Sequence, residues 1–159
     1  MATGEVINGS EVLVFFSAYA AGTTPAWSVA AHATSHTLSL SMATRETSNK
    51  GTGGFVTKAT GRIDVTGSME GMYIDDDAYN YEDFMTAMLA KTPLLMIFGK
   101  ETSTGSGEPD TTTGGKSHFY ASGLFIITGL DATFPDQANS TYTVNFEHYS
   151  DFKMNDYLT

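Results

Sequence analysis

The 159-residue sequence has no cysteine, a single tryptophan, and only eight Lys and Arg residues. Without cysteine there can be no disulfide framework and no thiolate to hold zinc, so the fold must rest on burial and backbone pairing alone. The shortage of cations argues against a protein that grips nucleic acid, because that grip comes from Lys and Arg neutralising phosphates, though not against one that lies near DNA without holding it. Eighteen Asp and Glu bring the net charge to −10. No apolar run approaches the ~20 residues that a membrane span requires. The opening MATGEVINGSEV lacks a basic stretch followed by an apolar one, so a soluble protein made in a cytoplasm is expected, with no membrane partner. There is no GxSxG, no phosphate-binding P-loop and no GxGxxG. No cofactor and no enzymatic activity are expected.

What is present reads as strands. With 41% hydrophobic residues the chain fits one domain over residues 1–159. Residues 36–73 carry two alternating segments. Leu38, Leu40 and Met42 alternate with Thr37, Ser39 and Ser41. Ile63, Val65 and Met69 alternate with Asp64, Thr66, Ser68 and Glu70. Period two means a sheet with one oily and one wet face. A register slip would carry Leu38, Leu40, Ile63 and Val65 into water, so their burial is expected to fix the pairing. Between the segments, 43–61 is too long for a tight turn and contains Arg45, Glu46, Lys50 and Phe55 among glycines. Such a loop is expected to project and make contacts.

Elsewhere, residues 11–18 hold the run VLVFF, which suits a strand covered on both faces. Trp27 follows in a loop, either plugging one end of the core or standing at an interface. Asn80 is a good N-cap for a helix over 81–90, with Glu82 and Asp83 in its first turn, Lys91 at its end and Pro93 beyond. Phe84, Met88 and Leu89, with Tyr81 and Met85, would form its apolar face. Residues 93–98 read as a strand and 99–117 as a mobile loop poor in apolar groups. In the last strand Tyr142, Val144 and Phe146 alternate with Thr143, Asn145 and Glu147. The ends, 1–10 and 150–159, are expected to be arms laid on neighbouring copies. The first is too polar for a core, and Phe152, Met154 and Tyr157 need a surface to cover.

Metal chemistry finds little support. His32 and His36 are four apart but lie on the approach to a strand, without the Glu of HExxH, and His118 and His148 read as solvated or hydrogen-bonded strand residues. Asp75, Asp76 and Asp77 lack the alternating ligand spacing and closing Glu of an EF-hand loop.

The pattern SLSMATRETSNKGTGGF, the return strand VTGSMEGMY, the helix NYEDFMTAMLAKTP, the strand PLLMIFG and the pair FYASGLFIITGLDATFPDQANSTYTVNFEH together resemble the major tail tube proteins of long-tailed bacteriophages. The likeness spans roughly residues 37–148. It departs at Ile63 and Asp64, where an aromatic is common in the family, and in the acidity ahead of the helix. The resemblance implies a virion tail protein, assembled in the host cytoplasm, that forms hexameric rings stacked into a tube for genome ejection. Each subunit would give strands to one continuous barrel. It further implies Arg45, Glu46, Lys50 and Phe55 at the contact between rings. Thr37, Ser39, Ser41, Asp64, Thr66 and Ser68 would face the lumen, with Glu70, Thr143, Asn145 and Glu147. The partners implied are further copies, the tail tip or baseplate, the tape measure and the tail terminator; DNA would only pass through.

Independently of the family, five or more strands and one capped helix predict a mainly β protein, a β-sandwich or partly rolled barrel with one flanking helix. Two other functions fit this class. One is the inner tube of a contractile tail or injection machine. The other is a monomeric carbohydrate-binding module, in which Trp27 and tyrosines would stack on sugar rings.

Overall fold

The computed structural model describes residues 9–20, 22–30, 32–51, 53–75, 79–103, 105–110 and 121–154. At the helix, α1 (Tyr81–Ala90), local chemistry suffices. Asn80 Oδ1 accepts the Glu82 N–H at 2.9 Å, and Asp83 Oδ2 accepts the Asn80 N–H at 2.9 Å, completing a capping box. At the other end Lys91 takes the left-handed conformation (φ 56°), and the Lys91 and Thr92 N–H groups donate to Met88 O and Ala87 O, both at 3.1 Å. A residue with a Cβ is disfavoured there, so Lys91→Gly is expected to stabilise the fold by about 1 kcal/mol. The check is a higher urea midpoint at unchanged slope.

The seven strands are β1 (Leu13–Ala18), β2 (Ser28–Val29), β3 (Ala33–Glu46), β4 (Lys58–Met72), β5 (Leu94–Gly99), β6 (Ala121–Thr133) and β7 (Thr141–Met154). They form one antiparallel sheet in the order β2-β1-β5-β6-β7-β4-β3. In a flat sheet β3 and β5 would lie about 19 Å apart, at ~4.8 Å per strand. The His36 ring on β3 and the Phe98 ring on β5 are 6.2 Å apart, so the sheet is rolled. Its inner face gathers Phe16, Met69, Phe98, Phe125, Val144 and Phe146 into one buried core. α1 lies over this core through Phe84, which is fully buried edge-on to Phe16 at 4.9 Å. Each such side chain contributes about 1.5–3 kcal/mol by leaving water. The predicted mainly β architecture with one flanking helix is the one found.

β1 and β5 are buried on both faces, which accounts for their unbroken apolar runs. Phe15 and Ile97 on one side of the strand pair, and Leu95 with Leu124, pack outward against half-buried Trp27. Trp27 thus covers the back of the sheet instead of plugging an end of the core.

Other expectations change. The helix stripe is narrower than predicted, because only Phe84 is buried while Met85, Met88 and Leu89 are exposed, the last at 76%. β3 continues to Glu46 and β4 begins at Lys58, so the connection is 47–57 where 43–61 was expected. Past a bulge at Met42/Thr44 the pairs Thr44↔Thr60, Arg45↔Ala59 and Glu46↔Lys58 prolong the ladder without an apolar signal. β7 runs to Met154 against β6, with Phe152 packed on Phe125 at 6.3 Å. Residues 150–154, expected in a C-terminal arm, therefore belong to the sheet. After β5 the chain turns on Glu101, whose carboxylate accepts the Gly105 and Gly107 N–H groups at 2.8 and 3.1 Å. The remainder of the 99–117 loop from 111 on, the arms at 1–8 and 155–159, and His118, Asp76 and Asp77 lie outside the described residues.

Candidate functional site

Register assembles a polar surface from four strands. Across β3 and β4 the pairs are Ser41↔Asp64, Ser39↔Thr66, Thr37↔Ser68 and Ser35↔Glu70. β7 continues the rows with Thr66↔Glu147, Ser68↔Asn145 and Glu70↔Thr143. Directly paired residues point to the same side of a sheet. All ten residues singled out for a lumen therefore share one face, opposite the core. Thr37 Oγ1 and Ser68 Oγ are hydrogen-bonded at 2.9 Å within it. A shallow depression is lined by residues that include Thr37, Ser39, Thr66, Ser68, Asn145 and Glu147, with Thr128 of β6. β6 adds residues that the sequence reading missed. Asp131 pairs with Thr143 and Thr133 with Thr141. Alternation of Asp131 and Thr133 with Leu130 and Ala132 was the available signal.

The oily face of the same hairpin is only half used. Val65 and Met69 are buried and Leu38 packs on the core. Leu40, Met42 and Ile63 remain exposed at 53%, 48% and 56%. The expected burial of Leu40 and Ile63 does not occur within one chain, because the β3–β4 ribbon runs past the end of the rolled sheet. The departure point is His148, whose Nδ1 accepts the Val65 N–H at 3.2 Å just beyond the last β4–β7 pair, Thr66↔Glu147. Accepting on Nδ1 requires that nitrogen to be unprotonated. This is the hydrogen-bonded strand histidine that the sequence suggested.

Strand edges are open at several places among the described residues, β2 at the far end of the sheet included, and two of them bound the polar surface. β3 ends the sheet, so its outer side has no strand partner along its 14 residues. β5 pairs with β6 only through Phe125, leaving 126–133 without a strand on that side. Exposed edges invite pairing with another chain.

The residues predicted to contact another ring sit at the distal end of the ribbon. Arg45 and Glu46 end β3, Lys50 and Phe55 lie in the turn, and Phe55 is 85% exposed. The turn is held by Thr47 N–H to Thr57 O (2.8 Å), Thr57 N–H to Ser48 Oγ (2.9 Å) and Gly51 N–H to Asn49 Oδ1 (2.8 Å).

The histidines do not converge. His32 is exposed, whereas His36 is half-buried beside Phe98 and borders a cleft of about 570 Å³ between β1 and the start of β3. Among the described residues no group of three His, Asp or Glu side chains is placed to hold a metal. Burial holds the His36 pKa below the ordinary imidazole value. The unfolded chain then binds the extra proton first, so stability is full above about pH 6.5 and falls as pH drops toward the folded-state value. His36→Gln should reduce that slope, measured as the difference in urea midpoints between pH 7.5 and pH 5.5.

No sequence-family model matches the chain, and no characterised protein matches it by sequence. Solved structures do match in fold. The tail of an empty gene transfer agent particle, determined with C6 symmetry, aligns with a TM-score of 0.61 at 16% identity, over 94% of this chain and 98% of the other. The SPP1 tail tube aligns at 0.67 and 11% identity, over 97% and 81%. The six-fold symmetrised baseplate of the anti-feeding prophage aligns at 0.64 and 10% identity, over 98% of both chains. The chain has the fold found in these tail assemblies.

Proposed function

We propose that this protein is a structural, non-catalytic subunit of a viral tail tube, closing into hexameric rings that stack around a channel through which the genome leaves. The observation that carries this is the four-stranded unit β6-β7-β4-β3, largely polar over one face, which Met72 and Ile126 interrupt, and open at both outer strands. Joining the β3 edge of one copy to the open β6 edge of the next repeats a head-to-tail contact, and such a contact closes into a ring when its rotation divides a full turn. A closed barrel leaves no edge exposed. The polar face then lines the lumen, where hydroxyls and the carboxylates of Asp64, Glu70 and Glu147 let phosphates pass without holding them. The sixfold symmetry of two matched assemblies supports the ring size. In this setting the tape measure would occupy the lumen before the genome does, while the terminator and the tip or baseplate would meet the tube's two ends. The location is the virion tail.

The likeness to the anti-feeding prophage baseplate favours a second reading within the same class, the inner tube of a contractile injection machine. The test of the tube is cryo-electron microscopy of the purified full chain, with sixfold rings or tubes expected. A species that stays monomeric in sedimentation at micromolar concentration overturns it and favours a monomeric ligand-binding module.

A further inference from the structure

The β3–β4 ribbon concentrates positive charge in an acidic protein. Within 43–62 stand Arg45, Lys50, Lys58 and Arg62 against Glu46 alone, half of all Lys and Arg, in a chain of net charge −10. The same end carries exposed apolar surface, Phe55 at 85% and Val56 at 62%. It is a cationic knob with an aromatic centre, shaped by its own hydrogen bonds.

β4 runs 15 residues from Lys58 at this knob to Met72, a span of roughly 45–50 Å at ~3.3 Å per residue. At the far end the chemistry is reversed. Tyr73 follows β4 directly, its ring 5.9 Å from that of Phe134, which is 67% exposed in the β6–β7 turn. The Tyr73 N–H donates to Ser140 O at 2.9 Å, fastening this turn to the end of β4. The first turn of α1 joins the group, since the Tyr73 hydroxyl donates to Glu82 Oε1 at 3.1 Å and Tyr81 lies 6.0 Å from Tyr73. Asp75, whose charge acts on Tyr73, and Asp136, two residues after Phe134, are both exposed, and no Lys or Arg occurs between 63 and 90. An aromatic patch rimmed by carboxylates thus stands one ribbon length from an aromatic knob rimmed by cations.

From this placement we infer that the hairpin knob of one copy docks on the Tyr73–Phe134 patch of a second copy in the next ring. The inference presupposes the stacked tube proposed above and names the surface that receives the hairpin. Within one chain the two surfaces are at opposite ends of an extended ribbon and cannot meet. Between copies the contact is heterologous and translates along the ribbon without closing, which generates a filament. Charge complementarity identifies the occupant as another copy of this chain and sets the polarity of stacking.

Two full-chain variants test it. One reverses the knob (Arg45→Glu, Lys50→Glu, Lys58→Glu) and the other reverses the patch (Asp75→Lys, Glu82→Lys, Asp136→Lys). Each alone should form rings but no tubes, since both ends then carry the same sign. An equimolar mixture should recover tubes of alternating rings. Thermal melting confirms that each variant is folded. As a milder probe, Arg45→Gln with Lys50→Gln and Lys58→Gln should shorten tubes at low salt and remove the salt dependence of their length. Tubes of normal length from either reversed variant alone, or a mixture that stays as rings, would overturn the inference while leaving the tube reading standing. Wild-type protein that forms neither rings nor tubes would overturn both.

Discussion

Valine at position 67 is expected to cost about 3 kcal/mol or more and to abolish assembly, although Gly67 lies in an ordinary stretch of strand. A Cβ there would stand 2.4 Å from Phe146 Cε2, 2.6 Å from Phe146 Cζ and 2.6 Å from the Thr37 carbonyl oxygen. None of the three can retreat. The Phe146 ring is 1% exposed and packed between Phe125 at 5.3 Å and Phe98 at 5.9 Å. The Thr37 oxygen is backbone of the neighbouring strand in the pair Leu38↔Gly67. Glycine leaves the space into which the ring lies flat, and overpacking such a core typically costs 1–3 kcal/mol before any strand must shift. Gly71→Ala, beneath Tyr142 at 3.0 Å, should cost less, since the phenol's outer atoms set the contact. Gly54→Ala, with nothing within 4 Å, should stay within about 0.5 kcal/mol of wild type. Urea denaturation of the three variants checks the ranking, and a midpoint for Gly67→Val equal to wild type would show that the ring is not seated there.

Phe146 and Gly67 also mark the limit of what the sequence disclosed. Parity was legible, because Tyr142, Val144 and Phe146 alternate with Thr143, Asn145 and Glu147, and burial pins such a pattern to one face. The helix was legible to the residue, since the Asn80 box and the stop at Lys91 are local chemistry. Strand order was not, because β7 enters between β6 and β4 by contacts distant in sequence that no local pattern encodes. Nor was the fate of Leu40, Met42 and Ile63. Their spacing assigns them to the oily face, but only the roll of the sheet decides whether that face meets the rest of the chain. The glycines left a trace that could have been used: Gly67 and Gly71 occupy the oily parity with Val65 and Met69, where a missing side chain calls for an aromatic from a neighbouring strand.

The polar face yields the prediction with the largest functional effect. Replacing Asp64, Glu70 and Glu147 by Lys should leave rings and tubes intact and make the tubes hold DNA. All three side chains are exposed; Asp64 and Glu70 lie opposite Ser41 and Ser35, and Glu147 lies between Thr66 on β4 and Ile126 on β6. Among the described residues the side-chain hydrogen bond lost is that from Ser35 Oγ to Glu70 Oε2 at 3.4 Å, so folding should change by less than about 0.5 kcal/mol per site. The field changes far more, because each replacement shifts the charge by two and the proposed sixfold ring would repeat it six times. In that ring a wall of carboxylates that repels phosphate would become a wall of ammonium groups, displacing the counterions of any DNA that enters. With roughly 6–10 phosphates neutralised, affinity should fall about 10³–10⁵-fold between ~50 and ~200 mM salt. Double-stranded DNA should therefore remain on variant tubes at the lower concentration and elute at the higher, while wild-type tubes retain none at either. Ejection from particles carrying the variant should slow and recover as salt rises. Variant tubes with wild-type ejection and no salt-dependent retention would place Asp64, Glu70 and Glu147 away from the lumen, and the polar face would then need another partner.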